Sequence, residues 1–252
     1  AFIDLGARAL DITSSVGVRV EDSVFFNIAG GGLYTYMSTE LEIARNRFER
    51  LGYHFASDGL VTSTDTEAHV HHNVFSDIGG RALYSIGAIY EPSGEILFEY
   101  NLIDTVTQSI SDSGAVNTGT GGHTIRRNHL TGIDQKYWDV GAASQKNKAF
   151  YLDIGSSDLV VTENVIENSA YFVQGNCQLD NTVTDNYAVA DYSAPMVTYI
   201  ACYFVSHPDL DAAVAAWSNT TCNAYLNCGT STVFSNNSHV HIYEDVVTNA
   251  GL

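Results

Sequence analysis

The chain of 252 residues is poor in basic side chains, in proline and in long apolar runs. Its 11 lysines and arginines face 29 acidic residues, a formal net charge of −18. Such a surface repels nucleic-acid phosphates, so we expect no nucleic-acid partner. No apolar run approaches the roughly 20 residues that cross a bilayer, so we expect no membrane insertion. Charged residues make up 16%, too few for a coiled coil, whereas 45% hydrophobic residues are too many for a disordered chain.

Cysteine is also sparse, and it is confined to the last third of the chain, at Cys177, Cys202, Cys222 and Cys228. An even number in one region predicts two disulfides, with three connectivities open. The alternative is four reduced thiols packed in the interior. Two sequons make Asn219 and Asn236 candidate glycosylation sites. Together these features predict an extracellular, secreted protein. The first ten residues lack the pattern of a signal peptide, which leaves a longer precursor open.

An internal repeat is the strongest pattern in the chain. One asparagine recurs in the same local context, at steps of 27, 28, 27, 36 and 22 residues: Asn46, Asn73, Asn101, Asn128, Asn164 and Asn186. A second marker lies 14 residues before the first four asparagines: Gly32, Gly59, Gly87 and Gly114. Periods of about 20 to 50 residues are typical of solenoids, propellers and arrays.

Short alternating segments such as Glu95–Tyr100 indicate half-buried strands within each unit. A propeller blade needs about 40–45 residues, so the step is too short for one. We therefore predict an all-β fold, a right-handed parallel β-helix over residues 1–195. The recurrent asparagine amides should bond to the coils above and below, and the glycines should permit positive φ or close approach. The scarcity of proline fits continuous backbone ladders.

The two ends of the predicted solenoid differ. Residues 196–252 are predicted to form a disulfide-containing C-terminal cap, with a short helix at Pro208–Trp217. At the other end, Phe2–Leu5 reads as part of a coil already under way. We therefore expect self-assembly, or a missing N-terminal segment or chain, to cover this open first coil.

A family resemblance rests on four segments: Asp112–Thr118, Ile125–Asn128, Phe150–Ser157 and Val161–Asn164. These segments resemble the right-handed parallel β-helix, pectate-lyase-like superfamily, and are most similar to its glycoside hydrolase members. The resemblance covers roughly Leu5 to Tyr192. It implies a carbohydrate-active protein that hydrolyses a polysaccharide or other glycan through paired carboxylates, with polysaccharide lyases as more distant relatives.

Acidic residues are the candidate catalytic groups. Glycoside hydrolysis uses one carboxyl group to protonate the leaving oxygen and a second as base or nucleophile. Neighbouring coils lie about 4.8 Å apart, so acidic residues at similar places in successive coils become neighbours. We predict a catalytic cluster of Asp112, Asp153 and Glu91 around Asn117, with Asp153 stacked on Asn117. The alternative is a set of solvated carboxylates at the turns of an acidic protein.

Substrate-binding candidates complete the predicted site: Asn117, His123, Tyr137, Trp138, Lys148 and Tyr151. Tyr137 and Trp138 lie in an excursion within residues 134–148 and would stack on sugar rings. His123 would bond a sugar hydroxyl or assist proton transfer, with a structural role as the alternative. The lysine cluster of Lys136, Lys146 and Lys148, with Arg126 or Arg127, would serve a lyase.

No metal site is assigned. Of His69, His71 and His72, the first two share a strand face, but no third ligand of clear spacing accompanies them. Calcium is the one cofactor compatible with an acidic groove, although no D-x-D-x-D-G loop is present. Two functions therefore remain: an extracellular glycoside hydrolase, or a non-catalytic structural or glycan-binding β-helix subunit of a filament or coat.

Overall fold

The computed structural model describes residues 1–64, 66–87, 94–133, 147–153, 155–169, 171–176, 180–190, 197–200, 233–235 and 238–241. All regular elements within these ranges are β-strands, which form three parallel sheets. The predicted all-β, parallel β-helix fold is confirmed. Within the same ranges there is no helix with the length and apolar character needed to cross a bilayer.

Each coil contributes one strand to each sheet. Sheet A contains β1 (Phe2–Ile3), β4 (Val24–Ile28), β7 (Arg47–Leu51), β10 (Val74–Ile78), β13 (Leu102–Asp104), β16 (His129–Thr131), β19 (Val165–Glu167), β22 (Tyr187–Ala190) and β25 (Ser238–His241). Sheet B contains β2 (Leu10–Thr13), β5 (Leu33–Tyr36), β8 (Leu60–Ser63), β11 (Leu83–Ile86), β14 (Gly114–Gly119), β17 (Lys148–Leu152), β20 (Tyr171–Asn176) and β23 (Val197–Ile200). Sheet C contains β3 (Arg19–Glu21), β6 (Thr39–Ala44), β9 (Thr66–His71), β12 (Ile96–Glu99), β15 (Thr124–Arg126), β18 (Val160–Thr162), β21 (Thr182–Thr184) and β24 (Val233–Ser235).

The interior is filled by columns of stacked apolar side chains. In sheet A, Phe2, Phe25, Phe48 and Phe75 are register partners on successive strands. Their ring centroids lie 4.8, 4.5 and 4.8 Å apart, with the planes within 11° of parallel. The last three rings are fully buried. The coil spacing thus equals the spacing of stacked aromatic rings, and one residue type can repeat along the axis without strain.

The recurrent asparagines form a ladder at the corner between sheets C and A. From Asn46 to Asn164, each backbone N–H donates to the Oδ1 of the next asparagine at 2.9–3.0 Å. Each Nδ2 donates to that same Oδ1 at 2.9–3.1 Å. Each Nδ2 also donates to a carbonyl of the preceding coil, as Asn101 does to Val70 at 3.0 Å. The predicted amide bonds to the coils on both sides are therefore confirmed.

The tight bend at this corner belongs to the residue before each asparagine. These residues have φ between +53° and +56°, the left-handed region: Arg45, His72, Tyr100, Arg127, Glu163 and Asp185. Asp22, which precedes Ser23 at the same corner of the first coil, has φ of +49°. Such a conformation costs a non-glycine residue about 1–2 kcal/mol. Because the ladder amides are nearly fully buried and hydrogen-bonded, their bonds offset this cost in every coil.

The predicted close approach at the glycine marker is confirmed for Gly32, Gly59 and Gly114, where an added Cβ would lie within 3 Å of a neighbour, but only Gly32 and Gly59 share one column. A Cβ at Gly32 would lie 2.5 Å from the Gly59 carbonyl oxygen, and one at Gly59 would lie 2.9 Å from the Phe75 ring. Close approach to the core therefore explains both glycines. In the next coil this column is occupied by Ala82, since Leu60 pairs with Leu83. Neither Gly87 nor Gly114 lies in the column, because the turns around sheet B differ in length.

At the C-terminal end, three strands beyond residue 195 continue the sheets: β23, β24 and β25. The predicted helix at Pro208–Trp217 and the cysteine-bearing part of the cap lie outside the described residues. The boundary at residue 195 therefore stays a prediction. At the N-terminal end, β1, β2 and β3 each pair with one neighbouring strand.

Candidate functional site

A row of alternating tyrosines marks the outer face of sheet B. The register partners in this column are Asp11, Tyr34, Val61, Tyr84, Asn117, Tyr151 and Gln174. Their neighbours along each strand, such as Leu83 and Val116, belong to the core, so the column faces outward. The tyrosine row (Tyr34, Tyr84 and Tyr151) has a spacing of two coils, or about 10 Å.

A cationic group lies against each ring of the tyrosine row. The distances to the ring centroid are 4.4 Å for Arg8 Cζ over Tyr34, 4.1 Å for Arg81 Cζ over Tyr84 and 5.0 Å for Lys148 Nζ over Tyr151. Such cation–π contacts orient the rings and place positive charge along an otherwise acidic surface. Burial raises the pKa of the Tyr84 hydroxyl, with the Arg81 charge opposing that rise.

Lys148 is the central charged group of this face. Its side chain is 1% exposed, and Nζ donates to Oδ1 of Asp112 at 2.9 Å, whose own side chain is 53% exposed. Burial lowers the pKa of Lys148, whereas the hydrogen bond to Asp112 and the charges of Asp112 and Asp153 raise it. The two predicted catalytic carboxylates therefore both act on one buried ammonium group.

The predicted stacking of Asp153 on Asn117 is wrong. The register partner of Asn117 is Tyr151, and the backbone N–H of Asp153 donates to the Thr118 carbonyl at 2.8 Å. The turn from β17 into β18 is two residues longer than the turn from β14 into β15. Tyr151 and Val160 differ by 9 positions, whereas their register partners Asn117 and Thr124 differ by 7. Asp153 is thereby displaced along the strand direction, away from Asn117.

Buried polar atoms without partners lie on both sides of Tyr151. Two of the four such atoms among the described residues are Asn117 Oδ1 and Gln174 Nε2, and the other two, Thr62 Oγ1 and Gln108 Oε1, lie elsewhere. Each side chain is 2% exposed. A buried polar atom without a partner costs about 1–3 kcal/mol, so such atoms are expected to bind a water molecule or a ligand group. Here one acceptor and one donor flank an aromatic ring, an arrangement that matches a sugar with its hydroxyls and apolar face.

A second ion pair, absent from the predicted site, extends this face toward the preceding coils. Arg81 donates through its backbone N–H to Asp58 at 2.7 Å, and its Nη1 lies 3.3 Å from the same carboxylate. Its Nε donates to Ser113 at 2.8 Å, next to Asp112 in the chain. Burial raises the pKa of Asp58, although the Arg81 charge opposes that shift.

His123 lies in the interior. Its Nε2 is 2.9 Å from Ser85 Oγ, and its Nδ1 accepts from the backbone N–H of Ile96 at 3.3 Å. Burial lowers the pKa of His123 to about 4, so the imidazole is neutral at physiological pH. Its contacts are with the fold itself, which agrees with the structural alternative. A role in sugar binding stays a prediction.

A histidine pair and a glutamate converge on the outer face of sheet C. Glu42 precedes His69 by 27 residues, the length of that coil, and is its register partner. The ligand-type atoms of Glu42, His69 and His71 all lie within 4.8 Å of one another. Sequence reasoning missed Glu42, although the coil period was sufficient to find it.

A cleft of about 550 Å³ lies at the corner that follows sheet A. It is lined by Asp4, Leu5, Gly6, Asn27, Ile28, Ala29, Arg50, Tyr53, His54 and Asp77. Tyr53 donates to the Asp77 carboxylate at 2.5 Å. None of the described candidate site residues lines this cleft.

Several predicted site residues lie outside the described residues: Glu91, Tyr137, Trp138, Cys177, Cys202, Cys222, Cys228, Asn219 and Asn236. Their assignments to catalysis, sugar stacking, disulfides and glycosylation stay predictions.

Comparisons with family models, with curated proteins and with solved structures each found no match to this chain. The described residues themselves define the class, a parallel β-helix protein with three sheets.

Proposed function

We propose that this protein is an extracellular glycoside hydrolase that binds a polysaccharide across the outer face of sheet B. The observation that carries the proposal is the group on β14, β17 and β20: a buried orphan acceptor on Asn117, a buried orphan donor on Gln174, and Tyr151 between them. The resemblance to β-helix glycoside hydrolases supports the same reaction class.

The tyrosine row supports binding of an extended chain of sugars. The half-buried rings of Tyr34 and Tyr84 lie two coils apart, at about 10 Å, and would contact alternate sugars of a chain that runs along the helix axis. Tyr151, 5% exposed, forms the buried end of this row. Arg8 and Arg81 beside these rings offer donors for sugar oxygens. A glycan is therefore the partner that we assign to this face.

Asp112 and Asp153 are the carboxylates that we assign to the reaction. We give Asp112 the role of base or nucleophile, because it accepts a hydrogen bond from the Lys148 ammonium. We give Asp153 the role of acid toward the leaving oxygen. In this scheme Lys148 positions Asp112, and Asn117 and Gln174 hold sugar hydroxyls.

Sugar release from a panel of plant, algal and microbial glycans tests the proposal. Wild type should release sugars, and Asp112→Asn and Asp153→Asn should lose at least 100-fold in rate, within the range for removal of a general acid or base. Asp158→Asn is the matched control, since Asp158 is an exposed acid in the turn after Asp153 and its φ of +52° suits asparagine.

The outcomes separate the alternatives. Equal rates in all four proteins would refute the assignment of the carboxylates. An ultraviolet signal from unsaturated uronate, abolished by Lys148→Met, would replace hydrolysis with a lyase reaction.

A non-catalytic glycan-binding subunit is the second candidate. The observation that favours it is Lys148, which is buried against Asp112 and Tyr151 rather than open to substrate. Glycan binding without release, lost in Tyr84→Ala and Tyr151→Ala, would establish this candidate. Concentration-dependent self-association would further support the filament or coat version.

A further inference from the structure

We propose that Glu42, His69 and His71 form a zinc-binding site on the outer face of sheet C. This site is independent of the proposed function, because sheets B and C present separate outer faces. The three residues come from two neighbouring strands, β6 and β9.

The glutamate lies opposite both imidazoles. Nδ1 of His69 is 3.8 Å from one Glu42 oxygen, and Nε2 of His71 makes a short contact with the other. Zinc bonds to nitrogen and oxygen of about 2.0–2.2 Å in a tetrahedral site place ligand atoms about 3.3 Å apart. A small side-chain adjustment therefore brings these atoms around one ion.

The other nitrogen of each imidazole already has a partner. Nε2 of His69 lies 3.0 Å from Oε1 of Glu99, and the other Glu99 oxygen accepts from Arg126 Nε at 2.7 Å. A histidine that donates Nε2–H to Glu99 presents the lone pair of Nδ1 to Glu42. A lone pair and a carboxylate repel each other, and a cation between them removes that repulsion. Carboxylate–histidine–zinc arrangements have this same geometry.

His71 differs, because its Nε2 makes a short hydrogen bond with the Glu42 carboxylate, and a bound cation would replace the proton of that bond. Its Nδ1 lies 2.8 Å from Nδ1 of His72, and its Nε2 faces Glu42. The His72 ring stacks on Tyr100, with 5.2 Å between centroids, so the supporting imidazole is itself held in place.

The ligand set and exposure identify the class of ion. Two histidines and one carboxylate favour zinc over calcium, which takes oxygen ligands. The side chains of Glu42 and His69 are 30% and 36% exposed, so water can occupy a fourth position. The net charge of −18 attracts cations to the surface.

Calorimetric titration of EDTA-stripped protein with Zn²⁺ tests the site. Wild type should bind one ion here, and Glu42→Gln, His69→Asn and His71→Asn should each lower the affinity at least tenfold. Glu99→Gln should weaken binding about tenfold through the orientation of His69. The matched control is His129→Asn, since His129 is an exposed histidine paired with Glu167 on sheet A.

Two further measurements make the test decisive. The melting temperatures of the Glu42, His69 and His71 variants in EDTA should match that of wild type, because these three side chains point away from the core. A Co²⁺ spectrum should show a nitrogen and oxygen site without thiolate charge-transfer bands. Thiolate bands, unchanged affinity in the three ligand variants, or no Zn²⁺ binding by wild type would each overturn the proposal.

Discussion

Sheets C and B differ in how they are joined to the asparagine ladder. In sheet C the inward-facing residue lies three positions before the ladder asparagine in every coil, as Ile43 does before Asn46 and Phe98 before Asn101. In sheet B the corresponding core residues lie 13, 13, 18, 12, 14 and 13 positions before it, at Leu33, Leu60, Leu83, Val116, Phe150 and Val173.

The distances differ because sheet C adjoins the ladder corner directly, whereas a turn of variable length separates sheet B from sheet C. A single left-handed residue and a buried amide make the corner between sheets C and A, and neither tolerates an extra residue without breaking the ladder. In the parts of the turns between sheets B and C that the structure describes, no such bond repeats from coil to coil, so the length of these turns varies at little cost. The constant corner between sheets C and A therefore stabilises the fold. The turns of variable length bring different side chains together on the outer face of sheet B.

The largest expected loss of stability comes from the aromatic stack of sheet A, which adjoins the corner of constant length. Phe48→Ala should lower the free energy of unfolding by about 4 kcal/mol, because it removes a fully buried ring stacked on Phe25 and Phe75. Urea denaturation measures the change. Phe55→Ala is the control, since Phe55 is 66% exposed and should change stability little. Equal losses in both variants would show that the stack is not special.

The ladder should come next. Asn101→Ala should cost about 3 kcal/mol, because it leaves the buried N–H of Asn73 and the carbonyl of Val70 without partners. Asn101→Asp should lose at least as much, since it puts a carboxylate oxygen in this buried site, opposite the acceptor oxygens of Val70, Glu99 and Asn128. The neighbouring, exposed Leu102 supplies the control Leu102→Ala. A loss in Leu102→Ala as large as that in Asn101→Ala would contradict a role for the ladder.

Features at a constant sequence distance from the ladder asparagines could be predicted from the sequence. The asparagine spacing predicted the coils and the amide bonds, and the same spacing of 27 residues separates Glu42 from its register partner His69. The predicted stacking of Asp153 on Asn117 failed because it carried that constant spacing into the turn after sheet B, which is two residues longer in one coil.

The character of the outer face of sheet B was also beyond the sequence. Tyr34, Tyr84 and Tyr151 lie 12, 17 and 13 positions before their ladder asparagines, so no period reveals that they share one column. The interior position of His123 likewise depends on Ser85, a residue of sheet B. Long-range register, rather than local pattern, determines both features.

His123 connects the two sheets and should make stability depend on pH. Its pKa is lowered from 6.5 to about 4 by burial, so between these values the unfolded chain binds a proton that the folded chain does not. Stability is therefore complete above pH 6.5 and falls as the pH drops toward 4, by about 2–3 kcal/mol at pH 4.5.

Denaturation of wild type and His123→Gln at pH 7.5 and pH 4.5 isolates the contribution of His123 protonation to the free energy of unfolding. The variant should lose less stability than wild type between the two pH values, whatever its stability at pH 7.5. Parallel losses would mean that other groups cause the acid sensitivity.

The smallest effect should come from the exposed side chains at the constant corner. Arg127, which has φ of +55°, pairs on the surface with Glu163 and with the Tyr100 hydroxyl. The substitution Arg127→Gln removes both contacts but leaves the backbone bend and the Asn128 amide in place. Because exposed ion pairs are screened and contribute little, its melting temperature should equal that of wild type within error. A clear loss would mean that the corner depends on its surface side chains as well as on the ladder, and the contrast between the two sheets would then need another cause.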